Sequence, residues 1–582
     1  MFLGNANYAV ADTKEYQWQI NERISYVTGR HSLDFGFDFD HTHVTDFYAG
    51  NFYGTYTFSN PIYFALGKYG SFSQNVGNPV FPFTFPYYGF YAQDKFQVSK
   101  HLTLNLGLRE DFQVYQQPQA NTTLGPVIAQ LTGQFPNQYK RLAPRFGFAW
   151  APHPTTVVRG GFGIFRDVFD AINYENSVTG NGLPSRVAST YLRYNSGASP
   201  DAQTPAFPNA LATTAPVFSS ASNLSIVSPG FQTPYVSESS LELQQQVVPG
   251  ATLTIGTMWT HGTHLIASSA YDMNLCPPQG SNVCPSLGTT TYTLPSGASV
   301  TLPNLDSGLL TEGFLVPSYS GQINALISPG NNNYNSLYVK FQQRNFHGLS
   351  TLLSYTWSKN LQSNGMDFNN QFDFSDTYGP SLLNQKHRLS IASVYAPGKA
   401  NVNSDFARGL LSNWTISTVM QFSSGRPYTA LLDCSQIYDY VNNSAANESS
   451  GNTNDGIGGS SAPCGPDPFI RFNSFYGPWT EEIDLGLSRG FHITERQMFT
   501  VTAQVFNLFN HPNYFVQNGG GINNSARYAA TGTTCGDGAT TSGQLCTLVP
   551  DTSVGATPFG VPGEINQLNG PRTFQFAFRY SF

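Results

Sequence analysis

Thr573-Phe574-Gln575-Phe576-Ala577-Phe578-Arg579-Tyr580-Ser581-Phe582 closes the chain, and the order of these ten residues decides the fold. Phe574, Phe576, Phe578, Tyr580 and Phe582 take one face, while Thr573, Gln575, Ala577, Arg579 and Ser581 take the other. This period of two is that of a β-strand, whose successive side chains point to opposite faces. Working back, Leu33, Phe35, Phe37 and Phe39 alternate with Asp34, Gly36 and Asp38, and Leu102 to Leu108 alternate with Thr103, Asn105, Gly107 and Arg109. Weaker members pair Leu241 and Leu243 with Glu242, Leu337, Val339 and Phe341 with Lys340, and Ile483, Leu485 and Leu487 with Asp484.

The composition narrows what such strands build. Of 582 residues only 11% are charged, 14% are aromatic, and 55 Gly and 37 Pro interrupt any long helix. A helical bundle or coiled coil is excluded. The formal net charge of −7, with no block of Lys or Arg, leaves no footprint for a phosphate backbone, so nucleic acid is not an expected partner. No apolar run reaches about 18 residues, which excludes a helical membrane span, yet a membrane strand needs only about 9 to 11 residues with every second one apolar.

Alternation alone does not separate a β-sandwich, whose apolar face looks inward, from a membrane barrel, whose apolar face looks onto lipid. Connection lengths separate them. Tight links such as Gly29-Arg30, Ser99-Lys100, Pro152-His153-Pro154 and Pro249-Gly250 join strands in pairs. Long stretches rich in Asn, Ser, Thr, Gly and Pro, near 166–232, 262–333, 425–479 and 511–571, separate successive pairs. Loops of that size count against a compact soluble domain, and short links on one side with long loops on the other are the asymmetry of outer-membrane barrels.

The pattern predicts an all-β fold: a partial antiparallel transmembrane β-barrel of about 15 to 16 strands with long extracellular loops, in the bacterial outer membrane and in contact with its lipid. Strands are expected near 15–28, 31–42, 86–98, 101–113, 143–152, 155–165, 234–248, 251–261, 334–346, 349–360, 386–396, 412–425, 480–489, 497–510 and 572–582. The segment from Phe52 to Phe58 is assigned to a loop hairpin, because a spanning strand there would break the sidedness. Fifteen strands are odd where single-chain bacterial barrels are even. With Met1 to Val10 unlike a signal peptide, residues 1–582 are expected to be the C-terminal part of a barrel, with a plug and a signal peptide absent.

On the polar faces of these strands Asp34, Asp38, Arg109, Glu242, Lys340, Asp484 and Arg579 are expected to line a lumen. The six cysteines fall as neighbours in long loops, Cys276 with Cys284, Cys434 with Cys464, and Cys535 with Cys546, and local disulfides would suit an oxidising compartment. No C-x-x-C spacing supports zinc, and His41 with His43 or His261 with His264 lack a nearby third ligand. No catalytic, cofactor or metal residue is expected: nothing assembles a nucleophile with a base, and scattered lumen carboxylates are the default of such walls rather than a catalytic acid pair. Tyr and Asn in the loops would suit a polar ligand without identifying it.

At the level of words, the chain resembles the C-terminal barrel of TonB-dependent outer-membrane receptors, especially the large acidobacterial type that carries a carboxypeptidase-regulatory-like domain. The matching stretches are Tyr91-Ala92-Gln93-Asp94 through Leu104-Asn105-Leu106-Gly107-Leu108-Arg109, then Ala143-Pro144-Arg145-Phe146-Gly147 and Val158-Arg159-Gly160-Gly161-Phe162-Gly163. Later come Gly262-Thr263-His264-Leu265, Ser424-Gly425-Arg426-Pro427, Asn507-Leu508-Phe509-Asn510-His511-Pro512 and the terminal strand. The resemblance implies a 22-stranded barrel around a plug, with uptake of a small or oligomeric ligand such as an oligosaccharide, peptide or metal chelate. It also implies that Phe578, Tyr580 and Phe582 form the signal read by the barrel assembly machinery, and that the TonB complex acts only through the missing plug region. The alternatives are a surface adhesion or structural barrel without transport, and a secreted glycan-active enzyme, which would hide the apolar faces in a dry core.

Overall fold

A computed structural model describes residues 11–582 apart from 49–50, 184–187, 194–204, 212–222, 268–270, 304–314, 364–370, 399–402, 405–410, 434–462, 515–524, 532–543, 551–569 and single positions 52, 59, 77, 79, 140, 170, 278, 283, 285, 287, 320, 468, 495 and 527. Fifteen strands follow one another in sequence order across one sheet, each antiparallel to the next. They are β1 (Ala11–Thr28), β2 (His31–Tyr48), β3 (Val80–Ser99), β4 (Leu102–Gln113), β5 (Leu142–His153), β6 (Thr156–Arg166), β7 (Tyr235–Val248) and β8 (Ala251–Leu265). The series continues with β9 (Gly330–Phe346), β10 (Leu349–Ser363), β11 (His387–Tyr395), β12 (Trp414–Ser423), β13 (Thr480–His492), β14 (Met498–Phe506) and β15 (Thr573–Ser581). A sixteenth short strand, Tyr378–Pro380, pairs with the far end of β10. Thr55–Thr57, inside the stretch read as a loop hairpin, pairs with Ser71–Val76 in a separate small sheet.

Two-residue links join β1 to β2, β3 to β4, β5 to β6, β7 to β8 and β9 to β10, all at the same end of the sheet. Glycines in the left-handed region close several of them, as at Gly29 (φ 57°) and Gly250 (φ 82°), where a side chain would be strained. The long connections after β2, β4, β6, β8, β10, β12 and β14 leave from the opposite end, as the sequence reading expects, whereas the link from β11 to β12, residues 396–413, is a longer connection at the tight-link end. The strands also run further toward the long loops than their alternation indicates: β2 extends to Tyr48 and β3 begins at Val80.

Register carries one face of the sheet from strand to strand. Ile24, Phe35, Ala92 and Leu108 are successive partners on the apolar face, Leu106, Phe146 and Phe162 follow, and Ile416, Leu487, Ala503 and Phe576 end the series. These side chains do not face a second layer. Phe574, Phe576 and Phe578 are 62%, 68% and 69% exposed. Fourteen spacings of about 4.8 Å make the face roughly 70 Å wide, and a band about 25 Å tall then exceeds by severalfold the 300–600 Å² apolar patch of a soluble monomer. Only a hydrocarbon surround accommodates it.

Aromatic rings border that band at both levels. Trp259, Trp357 and Trp479 sit toward the long loops, and Trp150, Phe346, Tyr395, Trp414 and Phe491 sit toward the tight links. Their amphipathic rings suit the interface between headgroups and acyl chains. Among the described residues no helix is long and apolar enough to cross a membrane.

Candidate functional site

The opposite face is polar, and register places Asp34, Asp38, Arg109, Glu242, Lys340, Asp484 and Arg579 all on it. Most of them do not stand alone. Asp34 accepts from Arg23 at 2.8 Å and from Gln93 at 3.1 Å, with Ser25 completing its set. Arg109 bridges Asp38 and Asp111, each at 2.8 Å, and donates to the Tyr87 hydroxyl, which itself donates to Asp111. Glu242 lies 3.6 Å from Arg159 and accepts the Tyr338 hydroxyl at 2.9 Å, while the Lys340 ammonium sits 5.0 Å above the Tyr338 ring. Asp484 instead receives the backbone N–H of Asn507 at 2.9 Å, fixing the chain as it leaves β14. Arg579 is exposed opposite Thr500.

Pairs of this kind on an open surface contribute at most about 1 kcal/mol each, so the wall is organised more by shape than by charge. Two tyrosines show how. Tyr91 lies across Gly36 and Tyr338 across Gly256, where the missing Cβ leaves room for a ring to lie flat along the neighbouring strand.

Toward the long loops the polar face changes character. Val44 of β2 and Phe83 of β3 follow the parity of Asp34 and Gln93, yet both are buried beneath a cluster built from loops. Tyr115, Phe135, Phe169, Tyr174, Val178, Val227, Phe231 and Leu326 complete that cluster, with edge-to-face rings such as Tyr115 against Phe169 at 5.4 Å. The loops therefore fold over the polar face rather than away from it. A second cluster continues the cap through Ile128, Leu224, Ile226, Tyr319, Ile323 and Ala325, on a small sheet in which Leu224–Val227 pairs with Ile323–Leu326.

Buried polar groups pin the cap. Asp272 accepts the N–H of Asn274 and Ile323, both at 2.9 Å, while Gln371 bonds the N–H and C=O of Asp272 from another loop. Burial raises the Asp272 carboxyl above its ordinary range, and those two N–H donors oppose the shift. On the helix Ala171–Thr179, Glu175 shares a side-chain hydrogen bond with Asp46 of β2. Burial first, then that bond and the charge of Asp46, push its carboxyl up to about 8. Cys276 and Cys284 are joined as a disulfide in the loop after β8. Cys434 and Cys535 lie outside the described residues, and so do the pairings with Cys464 and Cys546.

The sequence reading missed the cap entirely, because its rings come from three separate loops and share no period. Among the described residues no group of three or more His, Cys, Asp or Glu side chains could hold a metal ion.

A single antiparallel sheet with an exposed apolar belt, aromatic borders and seven long connections at one end defines a β-barrel that crosses a membrane by strands. The chain belongs to the family of outer membrane beta barrel domains, whose model matches residues 1–544. No curated protein matches it. Among solved structures it is similar to the outer membrane transporter YddB from Escherichia coli, with 11% identity and a TM-score of 0.48 over 87% of this chain and 52% of that one. It is also similar to the FrpB iron transporter from Neisseria meningitidis, with 9% identity and a TM-score of 0.45 over 98% and 55%. A mutant ferric enterobactin receptor from Pseudomonas aeruginosa gives 11% and 0.44 over 98% and 54%. The chain spans about half the length of each of these structures.

Proposed function

We propose that this chain forms the wall and outer loops of a TonB-dependent uptake receptor rather than an adhesin or an enzyme. The observation that carries the reading is the seating of the loop cluster on Val44 and Phe83 of the polar face. Loops that present an adhesive surface have no need to fold inward, whereas a receptor that holds its ligand above a lumen does. On this reading Asp34, Asp38, Arg109, Glu242, Lys340, Asp484 and Arg579 line the lumen. Phe578, Tyr580 and Phe582 on the last strand are the mark by which the assembly machinery takes the chain. The ligand is polar and small or oligomeric, of the oligosaccharide, peptide or metal-chelate kind.

The edges extend the proposal. Among the described residues β1 and β15 pair on one side only and run in the same direction, as the first and last of fifteen alternating strands must. An all-antiparallel closure then takes an odd number of further strands between them, and seven would complete the 22 of the family that the sequence resembles. Energy coupling would reside in a plug outside residues 1–582.

Cells producing the full-length parent test the function. Uptake of a surface-bound ligand that stops when the inner membrane is de-energised or the plug is deleted, with surface binding retained, is the expected result. Binding without uptake in the intact protein would assign it to adhesion.

A further inference from the structure

The apolar face of β8, β9 and β10 does not stay apolar to its long-loop end. Ile255, Val339 and Tyr355 are successive register partners within the belt, followed by Thr257, Leu337 and Trp357. The next row on the same face is Trp259, Asn335 and Lys359, side by side on three neighbouring strands, and all three are exposed. Lys359 lies about ten residues beyond Leu349 at the tight link. A strand of that length, tilted by about 40°, rises roughly 25 Å, the height of the belt. The row therefore stands level with the headgroups of the leaflet on the long-loop side.

Each member of the row offers a contact that the protein does not take up itself. Among the described residues Lys359 has no carboxylate within ion-pair distance. No Asp or Glu occurs at any position of this face from β7 to β11. In the loop after β10, Asp373 turns to its own chain and accepts the N–H of Ser375 at 2.9 Å. The Asn335 amide has no side-chain partner among the described residues. Trp259 lies within 13° of parallel to His261, with ring centres 6.0 Å apart, and His261 is hydrogen-bonded to Asn333 Oδ1 at 2.7 Å, so the indole is held in a set orientation.

We propose that Trp259, Asn335 and Lys359 form a site for the phosphorylated sugar headgroup of a glycolipid in the outward leaflet. An ammonium attracts phosphate as a compact charge. A carboxamide both donates and accepts, which matches a sugar hydroxyl, and an indole gives the C–H face of a sugar ring a flat apolar surface. Trp259 and Lys359 are two strand spacings apart, about 10 Å, a span suited to one sugar with its phosphate. An ordinary phospholipid would satisfy Lys359 but bring no ring to Trp259. The site rests on the membrane position of these strands and not on uptake, and stands apart from the proposed function.

The protein, extracted from outer membranes into detergent micelles, is titrated with lipid A carrying both phosphates, with dephosphorylated lipid A and with phosphatidylglycerol. Bound lipid is counted by native mass spectrometry. Wild type should retain phosphorylated lipid A in preference to the other two. Lys359→Gln should lower that retention about fivefold, the effect of one lysine near the headgroups, and abolish the preference for the phosphorylated form. Trp259→Leu should weaken both forms of lipid A at least threefold and leave phosphatidylglycerol unchanged. Exposed Arg496→Gln, at the tight-link end, is the control and should match wild type. Lys359→Gln or Trp259→Leu retaining lipid A as wild type does, or Arg496→Gln losing as much, overturns the site. Phosphatidylglycerol retained as well as phosphorylated lipid A also overturns it, because charge alone would then account for binding.

Discussion

The ring of Tyr91 lies flat over Gly36, its direct register partner, and occupies the space where any other residue would carry its Cβ. The pairing shows why a strand read as Leu-Asp-Phe-Gly-Phe-Asp-Phe carries a glycine on its polar face. Gly36→Val forces the ring out of place, and overpacking of this kind costs about 1–3 kcal/mol. Unfolding in micelles should report that loss, and adding Tyr91→Ala should recover part of it. Equal stability of Gly36→Val and wild type would show that the ring has other room.

Glu175 and Asp46 tie the cap helix to β2. The raised carboxyl of Glu175, pushed up to about 8 in the folded protein from an ordinary value of 4.5, means that the native state holds a proton which the unfolded chain releases at lower pH. The attachment is therefore complete below about pH 4.5, weakens as pH rises, and is lost above about 8. Hydrogen exchange of residues 171–179 should accelerate between pH 5 and 9 beyond its intrinsic rate. In Glu175→Gln that excess should vanish, and its persistence would place the titration elsewhere.

The disulfide Cys276–Cys284 closes a short loop inside the cap. A closure of that length restrains the unfolded loop by about 2–3 kcal/mol in the chain-entropy model, and the loop is anchored nearby through Asn274, which bonds the carbonyls of Tyr319 and Gly321 at 2.8 Å. Reduction, or Cys276→Ser with Cys284→Ser, is expected to expose 266–328 to protease while the main sheet stays protected. Loss of the sheet in the same experiment would mean that cap and wall unfold together.

Much of this wall was legible in the sequence, and the reason is physical. A strand with lipid on one side and water on the other must alternate, so parity alone placed Asp34, Arg109, Glu242 and Asp484 on one face. The reading stopped β2 near residue 42 and began β3 near residue 86 because alternation fails there: Val44 and Phe83 are apolar on the polar side, answering to loop residues far away in sequence. For the same reason the partners stayed hidden. Nothing local links Arg23 to Asp34 or Tyr338 to Glu242, since each pair meets across strands.

The two faces of the last strand should answer differently to the same charge. Phe576 sits on the apolar face beside Ala503, with Leu487 beyond it, and Gln575 sits on the polar face beside Gln504. An arginine near the middle of the hydrocarbon costs about 2–4 kcal/mol, while one on the polar side keeps its water. Phe576→Arg should therefore lower stability in lipid vesicles by that amount, and Gln575→Arg should change it by less than about 0.5 kcal/mol, the ordinary effect of a surface substitution. Moving the same side chain by one residue leaves composition and net charge equal to within the residue replaced, so only the side of the sheet differs between the variants. If both variants were equally stable, the belt would not be touching hydrocarbon at β15; if Gln575→Arg were instead the costly one, the orientation of the sheet would have to be reversed.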